Sequence, residues 1–138
     1  MRILGVDPAT AKPLGIALVS NDESRLTVEY SGLCSYMDIP EHLKTLQPDL
    51  VVIEDQYTFK NYNTAKKLAW SAGKIMGICG IMKFPHTVMN VAHWKAHMKA
   101  QKGTHIKRCK QIFGEEYQDD IASAILIATC YLDENCKM

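Results

Sequence analysis

The sequence predicts an α/β fold in which a mixed sheet is flanked by helices. Three strand patterns open the chain, two more follow, and helical patterns dominate the second half. This order of strands and helices favours one sheet with helices packed on its faces. The 138 residues are the length of one ordinary domain, so we expect residues 1–138 to form a single domain.

Five segments carry the strand signal. Apolar runs that end at Asp7-Pro8 and at Glu54-Asp55 predict buried strands, and residues 26–31 alternate apolar and polar side chains. The predicted strands are residues 3–6, 15–20, 26–31, 50–53 and 87–91. The short link between the first two predicts a hairpin.

Apolar side chains at helical spacing predict five helices. They cover residues 40–46, 61–82, 92–99, 104–113 and 119–132. In the longest, Ala69, Gly73 and Gly77 repeat every four residues. Such a stripe of small residues favours either tight packing on the sheet, which we prefer slightly, or a helix–helix contact between two copies.

The composition excludes several classes of protein. Apolar residues make up 47% and charged residues 22%, which is typical of a globular chain. No apolar run reaches the roughly 18 residues of a membrane span, and Asp7 interrupts the N-terminal run too early for a signal peptide. The five cysteines are scattered and never form CxxC, so we expect reduced thiols in a cytoplasmic protein, and neither a disulfide framework nor a zinc site. We expect no membrane partner.

Charge is segregated along the chain although the net charge is only +1. Residues 56–114 contain eleven Lys or Arg residues and no Asp or Glu. One strongly positive region in a near-neutral protein is typical of a surface that binds a polyanion. A solvated basic face is the alternative, and we favour the polyanion.

Acidic residues stand at the ends of three predicted elements. Asp7 ends the first strand, Glu54 ends the fourth, and Asp119 and Asp120 open the last helix. Singly, each has an ordinary interpretation: a turn before Pro8, a solvated strand end, or a helix N-cap at Asp119. Together, beside a basic region, converging carboxylates predict a site for Mg²⁺ or Mn²⁺ and phosphodiester chemistry.

These residues resemble a known family. The segment Ile3-Leu4-Gly5-Val6-Asp7-Pro8 with Leu14-Gly15-Ile16-Ala17 is similar to the first hairpin of RuvC-type Holliday junction resolvases. Val51-Val52-Ile53-Glu54 and the long helix after it resemble their second acidic strand and its helix. The segment beginning Asp119-Asp120-Ile121-Ala122-Ser123 resembles their last acidic helix.

The resemblance implies an RNase H-like fold, a homodimer, and Mg²⁺-dependent nicking of four-way DNA junctions, with Mn²⁺ as a substitute and no nucleotide cofactor. By position, Asp7, Glu54 and Asp120 match the family's metal-binding acids. RuvC-type proteins usually carry another carboxylate where this chain has Ser123. Mitochondrial and poxviral resolvases carry an Asp-Asp pair at this point, so Asp119 is the fourth candidate for both catalysis and metal binding.

The basic region supplies the candidate DNA contacts. Lys95 and Lys107 fall where the resemblance places DNA-facing lysines, and aromatic residues near Glu54 are candidates for stacking on unpaired bases. The full set is Tyr57, Phe59, Lys60, Lys95, Lys99, Lys107 and Arg108. Trp70 and Trp94 are expected in the core or an interface. His93 and His97, at i and i+4, have the spacing of metal ligands, but the sequence shows no third ligand.

Two alternatives to a strict junction resolvase remain at this point. One is a nuclease of the same fold that cuts flaps, forks and other branched DNA. The other, prompted by Ser123, is a catalytically impaired protein that binds junctions. A third alternative, a kinase or ATPase of the actin-like type, is disfavoured, because we expect no room for its second domain in 138 residues, and failure to bind ATP would exclude it.

Overall fold

The computed structural model describes residues 1–9, 12–23, 25–55, 62–101 and 103–136. Within them lie five strands and five α-helices. The strands are β1 (Arg2–Asp7), β2 (Leu14–Asp22), β3 (Arg25–Cys34), β4 (Leu50–Asp55) and β5 (His86–Asn90). The helices are α1 (Ile39–Leu46), α2 (Tyr62–Met82), α3 (Val91–His97), α4 (His105–Phe113) and α5 (Asp119–Asn135), and a 3₁₀ turn (Tyr36–Asp38) precedes α1.

The strands form one mixed sheet in the order β3-β2-β1-β4-β5. The β1–β2 and β2–β3 pairs are antiparallel, whereas β1–β4 and β4–β5 are parallel. This confirms the predicted fold class and the predicted hairpin. It also places β1 and β4 side by side, so their carboxyl ends meet at the same edge of the sheet.

Both faces of the sheet are covered, and each face has its own apolar core. On one face, Leu4, Val6 and Ile53 pack with residues of α1 and α2. On the other, Ile3 and Val52 pack with Trp94 and with the buried side of α5. Alternate residues of β1 and β4 therefore point to opposite cores, as the strand period requires.

The observed elements differ from the predicted ones mainly at their ends. Val91, predicted as the last residue of the fifth strand, begins α3 instead, because Asn90 caps that helix by accepting from the Ala92 N–H at 2.8 Å. Helix α5 continues to Asn135 rather than ending at Leu132. None of the helices in the described part of the chain is long and apolar enough to cross a bilayer.

Helix α2 corrects one interpretation of the sequence. The core contacts of α2 come from Ala72, Ile75 and Cys79. The stripe with Gly73 and Gly77 lies on the outside, since a Cβ added at either glycine would meet no described atom within 4 Å. The preferred explanation, tight packing on the sheet, is therefore wrong for these glycines.

Candidate active site

The period of the strands brings Asp7 and Glu54 to one side of the sheet. Asp7 lies two residues beyond Gly5 on β1, on the face that packs against α5, and Glu54 lies two residues beyond Val52 on β4. The adjacent parallel strands pair Val6 with Ile53, so the two carboxylates follow neighbouring positions at the same edge. Both side chains are buried.

The first turn of α5 supplies the third carboxylate. Gln118, not Asp119, is the N-cap: its side-chain oxygen accepts from the N–H of Asp120 at 2.8 Å and of Ile121 at 3.2 Å. Asp120 then turns inward and is buried, whereas Asp119 is exposed at the rim. The N-cap interpretation of Asp119 is therefore wrong.

Two glycines allow α5 to approach the sheet closely enough to deliver Asp120. A Cβ on Gly15 would lie 2.2 Å from the carbonyl oxygen of Asp120, and one on Gly5 would lie 2.1 Å from that of Ala124. Gly15 is the pairing partner of Asp7 across the β1–β2 hairpin. The contact between helix backbone and bare strand backbone therefore fixes Asp120 beside Asp7.

Burial, followed by the charges of Glu54 and Asp120, raises the pKa of Asp7 to about 9. A hydrogen bond joins the carboxyls of Asp7 and Asp120. At neutral pH, without a bound cation, Asp7 therefore keeps its proton. The three groups cannot all be ionised together unless a positive charge lies among them.

Lys12 supplies part of that positive charge. Its Nζ donates to Oδ1 of Asp120 at 3.0 Å. Burial alone would raise the pKa of Asp120, but the hydrogen bonds from Lys12 and Gln118 outweigh it and lower the pKa below its usual value. Asp120 is thus the ionised member of the Asp7–Asp120 pair.

Glu54 is oriented by Trp94. The indole Nε1 of Trp94 donates to Oε2 of Glu54 at 2.7 Å, and the ring is fully buried in the core beneath the site. The Asn90 cap sets the start of α3 and so the position of Trp94 one turn later. A donor of this kind fixes the orientation of the carboxylate, and Glu54 lines the cleft.

His105 contacts the fourth acid. Nε2 of His105, in the first turn of α4, pairs with Oδ1 of Asp119. The other ring nitrogen, Nδ1, is buried without a hydrogen-bond partner among the described residues. Asp119 is therefore held at the rim by α4 rather than by Asp7.

All four predicted acids line one open cleft of about 320 Å³. Lys12, Lys95, Trp94, His105 and Ser123 line it as well. The donor atoms offered by Asp7, Glu54 and Asp120 are carboxylate oxygens, and such oxygens suit hard divalent cations. Ser123 adds only a neutral hydroxyl on the next turn of α5, so its position contributes no charge.

The predicted DNA-contacting residues are more scattered. Lys95 lines the acidic cleft, and Lys99 is exposed in the turn after α3. Lys107 lines a separate cavity on α4 with Lys110. Part of the Arg108 guanidinium already has a partner within the protein, because its Nε donates to the carbonyl oxygen of Met98 at 2.8 Å.

Several predicted contacts lie elsewhere. Tyr57, Phe59 and Lys60 fall outside the described residues. Trp94 is in the core, as expected. Trp70 is not: its exposed fraction is 59%.

Three residues that contact the acids of the cleft were not found from the sequence: Lys12, Trp94 and His105. For Lys12, the signal was its place in the link between Asp7 and Gly15. The contacts of Trp94 and His105 had no sequence signal, because each is formed with an acid on a different element.

Comparison with known proteins agrees with this architecture. No family model matches the chain. The chain is 26% identical over 155 residues to the crossover junction endodeoxyribonuclease RuvC of Thermomicrobium roseum, covering 95% of this chain and 92% of that protein. It is 29% identical over 154 residues to the RuvC of Rickettsia akari, covering 96% and 98%.

Among solved structures, Thermus thermophilus RuvC in complex with a Holliday junction substrate superposes with a TM-score of 0.81 at 17% identity, covering 98% of this chain and 97% of the other. The fold is therefore RNase H-like, in the arrangement found in RuvC structures. Over nearly its whole length the chain is similar to RuvC-type Holliday junction resolvases, and the resemblance predicted from the sequence is confirmed.

Proposed function

We propose that this protein is a structure-selective DNA endonuclease that nicks four-way (Holliday) junctions by metal-dependent hydrolysis during recombination or replication. The observation that carries this proposal is the meeting of Asp7, Glu54 and Asp120, from three separate elements, in one cleft beside Lys12 and Lys95. The names of the relatives and the junction complex of a similar fold support the choice of substrate.

Asp7, Glu54 and Asp120 would hold the divalent cations, with Asp119 as a fourth ligand. The all-oxygen donor set supports Mg²⁺, with Mn²⁺ as a substitute. When bound, such ions supply an activated water and stabilise charge on the phosphate and the leaving oxygen. Asp7, which interacts with both Glu54 and Asp120, is the central ligand.

The other residues of the cleft position these ligands. Trp94 holds Glu54 through one oxygen, and His105 holds Asp119 at the rim. Lys12 balances the charge of Asp120 until a cation does so. Lys95, on the wall of the cleft, is placed to contact a phosphate there.

DNA would be held by Lys95, Lys99 and Lys107, with Arg108 and the segment containing Tyr57, Phe59 and Lys60 as further contacts. Lysines bind the sugar–phosphate backbone and read no base sequence, so selection of a junction would depend on its shape. Affinity should fall steeply with salt.

A homodimer would place two clefts on one junction. The outer side of α2 supports this, because it carries exposed apolar side chains without covering residues in the described chain: Trp70, Met76 and Ile81 are 59%, 36% and 85% exposed. Gly73 and Gly77 lie on the same side and leave room for a second backbone. We also propose that residues 1–138 act as a single nuclease domain in the cytoplasm.

The direct test is incubation of the protein with labelled four-way and linear duplexes, in Mg²⁺ and in EDTA, followed by mapping of the nicks. We expect paired nicks on opposite strands of the junction, only with Mg²⁺, and little cutting of the linear duplex. Failure to cut any branched DNA with Mg²⁺ or Mn²⁺ would overturn the proposal.

Two other functions give different results in the same assay. Equal cutting of a three-way fork and a four-way junction would indicate a broader branched-DNA nuclease. Tight junction binding without nicking would indicate an impaired enzyme, the alternative raised by Ser123, which cannot replace a charged ligand.

A further inference from the structure

A second cluster of metal-ligand atoms lies near the C-terminal end of α5, away from Asp120 at its start. Cys130 and Glu134 are four residues apart on α5 and therefore share one face of it. His93 of α3 packs against them: its Nε2 lies 2.7 Å from Oε1 of Glu134. The Sγ of Cys130 lies 3.1 Å from the same oxygen.

The three donor atoms all lie within 4.8 Å of one another. Cys130 is fully buried, and the side chains of His93 and Glu134 are 50% and 30% exposed. The thiol thus forms the floor of the cluster, while the imidazole and carboxylate form its rim. The partly exposed rim is the side from which a metal ion would enter.

We propose that His93, Cys130 and Glu134 bind Zn²⁺ and thereby join α3 to α5. Sulfur, imidazole nitrogen and carboxylate oxygen are the ligands that Zn²⁺ takes in proteins, and three of them leave one position for water. The acidic cleft offers oxygens for hard ions, so the two sites favour different metals.

The chemistry of ligation balances without any redox change. Burial, and then the hydrogen bond to Glu134, raise the pKa of the Cys130 thiol, so that thiol is protonated in the metal-free protein. The hydrogen bonds from Cys130 and His93 keep the pKa of Glu134 low, so it is ionised. Binding breaks the S–H bond, forms the Zn–S bond and releases that proton to solvent. The neutral His93 ring must then carry its single proton on Nδ1, so that Nε2, which faces Glu134 in the metal-free protein, is free to bind the metal.

An ion pair is the competing explanation for the contact between His93 and Glu134. One turn along α3, His97 forms such a pair with Asp133, with Nε2 and Oδ2 2.5 Å apart, and the two imidazole rings stack at 6.3 Å. The cluster at His93 differs because a buried thiol shares the same carboxylate oxygen.

The sequence alone predicted no zinc site, because its cysteines form no CxxC motif and His93 and His97 had no third ligand in view. The ligands come from two helices, with His93 and Glu134 41 positions apart. Helix α3 also carries Trp94 and Lys95, which line the acidic cleft. Zinc at this cluster would therefore stabilise the position of the helix whose Trp94 orients Glu54.

Cobalt titration of the reduced full-length protein tests the proposal, with excess Mg²⁺ present to fill the acidic cleft. We expect one equivalent of Co²⁺ to give thiolate-to-metal absorption in the near ultraviolet, which Zn²⁺ then removes. Cys130→Ala should lose this absorption, whereas Cys109→Ala, a buried cysteine on α4, and Cys136→Ala should keep it. Absence of the band, or its survival in Cys130→Ala, would overturn the assignment.

Variants at the rim provide a second measurement if Cys130→Ala folds poorly. His93→Gln and Glu134→Gln change partly exposed side chains and should weaken Zn²⁺ binding at least about tenfold, since even loss of an outer-shell partner costs that much. Zn²⁺ should also raise the melting temperature of the wild type more than that of His93→Gln. Equal Zn²⁺ affinity in wild type and both variants would show that the contact is only an ion pair. These readouts do not depend on nuclease activity.

Discussion

Asp7 is buried, and in the metal-free protein its surroundings disfavour ionisation of its carboxyl group. Burial and two neighbouring carboxylates raise its pKa to about 9, from an ordinary value of 3.8. Between these two pH values the folded state holds one more proton than the unfolded state, so the free energy of unfolding falls as pH rises. A carboxyl pKa raised in this way by burial and neighbouring carboxylates is typical of a functional site, here one that would bind cations.

Asp7→Asn should therefore stabilise the metal-free protein. The amide cannot ionise, so the gain over wild type should grow as pH rises from about 4 toward 9 and exceed about 1 kcal/mol by pH 8. Urea unfolding in EDTA across this pH range measures it. Asp22→Asn makes the same chemical change at an exposed position and serves as the control. If Asp7→Asn gave no increase in the free energy of unfolding, or an increase that became smaller as pH rose, the result would contradict a buried Asp7 carboxyl with a raised pKa.

Trp94 acts on the site through Glu54. Trp94→Phe keeps an apolar ring in the core but removes the Nε1 donor that holds Oε2 of Glu54. We expect nicking to fall about tenfold and the Mg²⁺ concentration for half-maximal rate to rise, while junction binding in EDTA stays unchanged. Tyr131→Phe, at a partly buried aromatic residue of α5 that does not line the cleft, is the control. A slower variant with an unchanged Mg²⁺ requirement would indicate only a packing role.

At the scale of elements, the site depends on how closely α5 approaches the β1–β2 hairpin. Gly15 leaves space for the carbonyl of Asp120, and a methyl group there would lie 2.2 Å from that oxygen. The added methyl group would clash with the helix backbone, which cannot rotate away as a side chain could. Helix α5 would therefore have to shift. The position of Asp120 beside Asp7 thus follows from a missing side chain.

Gly15→Ala should push α5 away from the sheet, with a cost of about 1–3 kcal/mol in the free energy of unfolding and a loss of most nicking. Denaturant unfolding and a nicking assay measure the two effects. Gly32→Ala on β3 is the control, since its Cβ would meet only the flexible end of Tyr30 at 3.1 Å. Equal stability and nicking in the two variants would contradict this role of Gly15.

The elements themselves were largely predictable from the sequence. The apolar runs of β1 and β4 predict two buried strands that end at Asp7 and Glu54. The parallel pairing of these strands, which brings the two acids together, is seen only in the structure. What was not predictable is which side chains complete the cleft. Lys12 meets Asp120 from 108 positions away and Trp94 meets Glu54 from 40, and periodicity carries no information about such pairs.

At the scale of the whole molecule, the acid-free stretch of the sequence is not free of acids in space. Three of its four histidines meet carboxylates of α5: His93 with Glu134, His97 with Asp133, and His105 with Asp119. Among its described lysines, Lys95 lines the cleft and Lys99 is exposed in the turn after α3. The positive charge that we propose binds DNA is therefore carried mainly by lysines.

The outer side of α2 provides a test of the proposed homodimer. Gly77→Glu should give a monomer of 15.5 kDa where the wild type gives twice that mass, because the new side chain blocks the approach of a second helix. The fold of each chain should be kept, since nothing in the described structure lies within 4 Å of that Cβ. Light scattering measures the mass. Met37→Glu, 89% exposed outside α2, is the control. A Gly77→Glu dimer would place the interface elsewhere.

The account rests on three distant carboxylates acting together on DNA. The most direct measurement is nicking of a labelled four-way junction by Asp7→Asn at saturating protein and Mg²⁺, alongside its junction affinity in EDTA. We predict that nicking is lost, by at least about a thousandfold, while the affinity changes by less than about threefold. Nicking by Asp7→Asn at the wild-type rate would contradict the central role of this carboxylate.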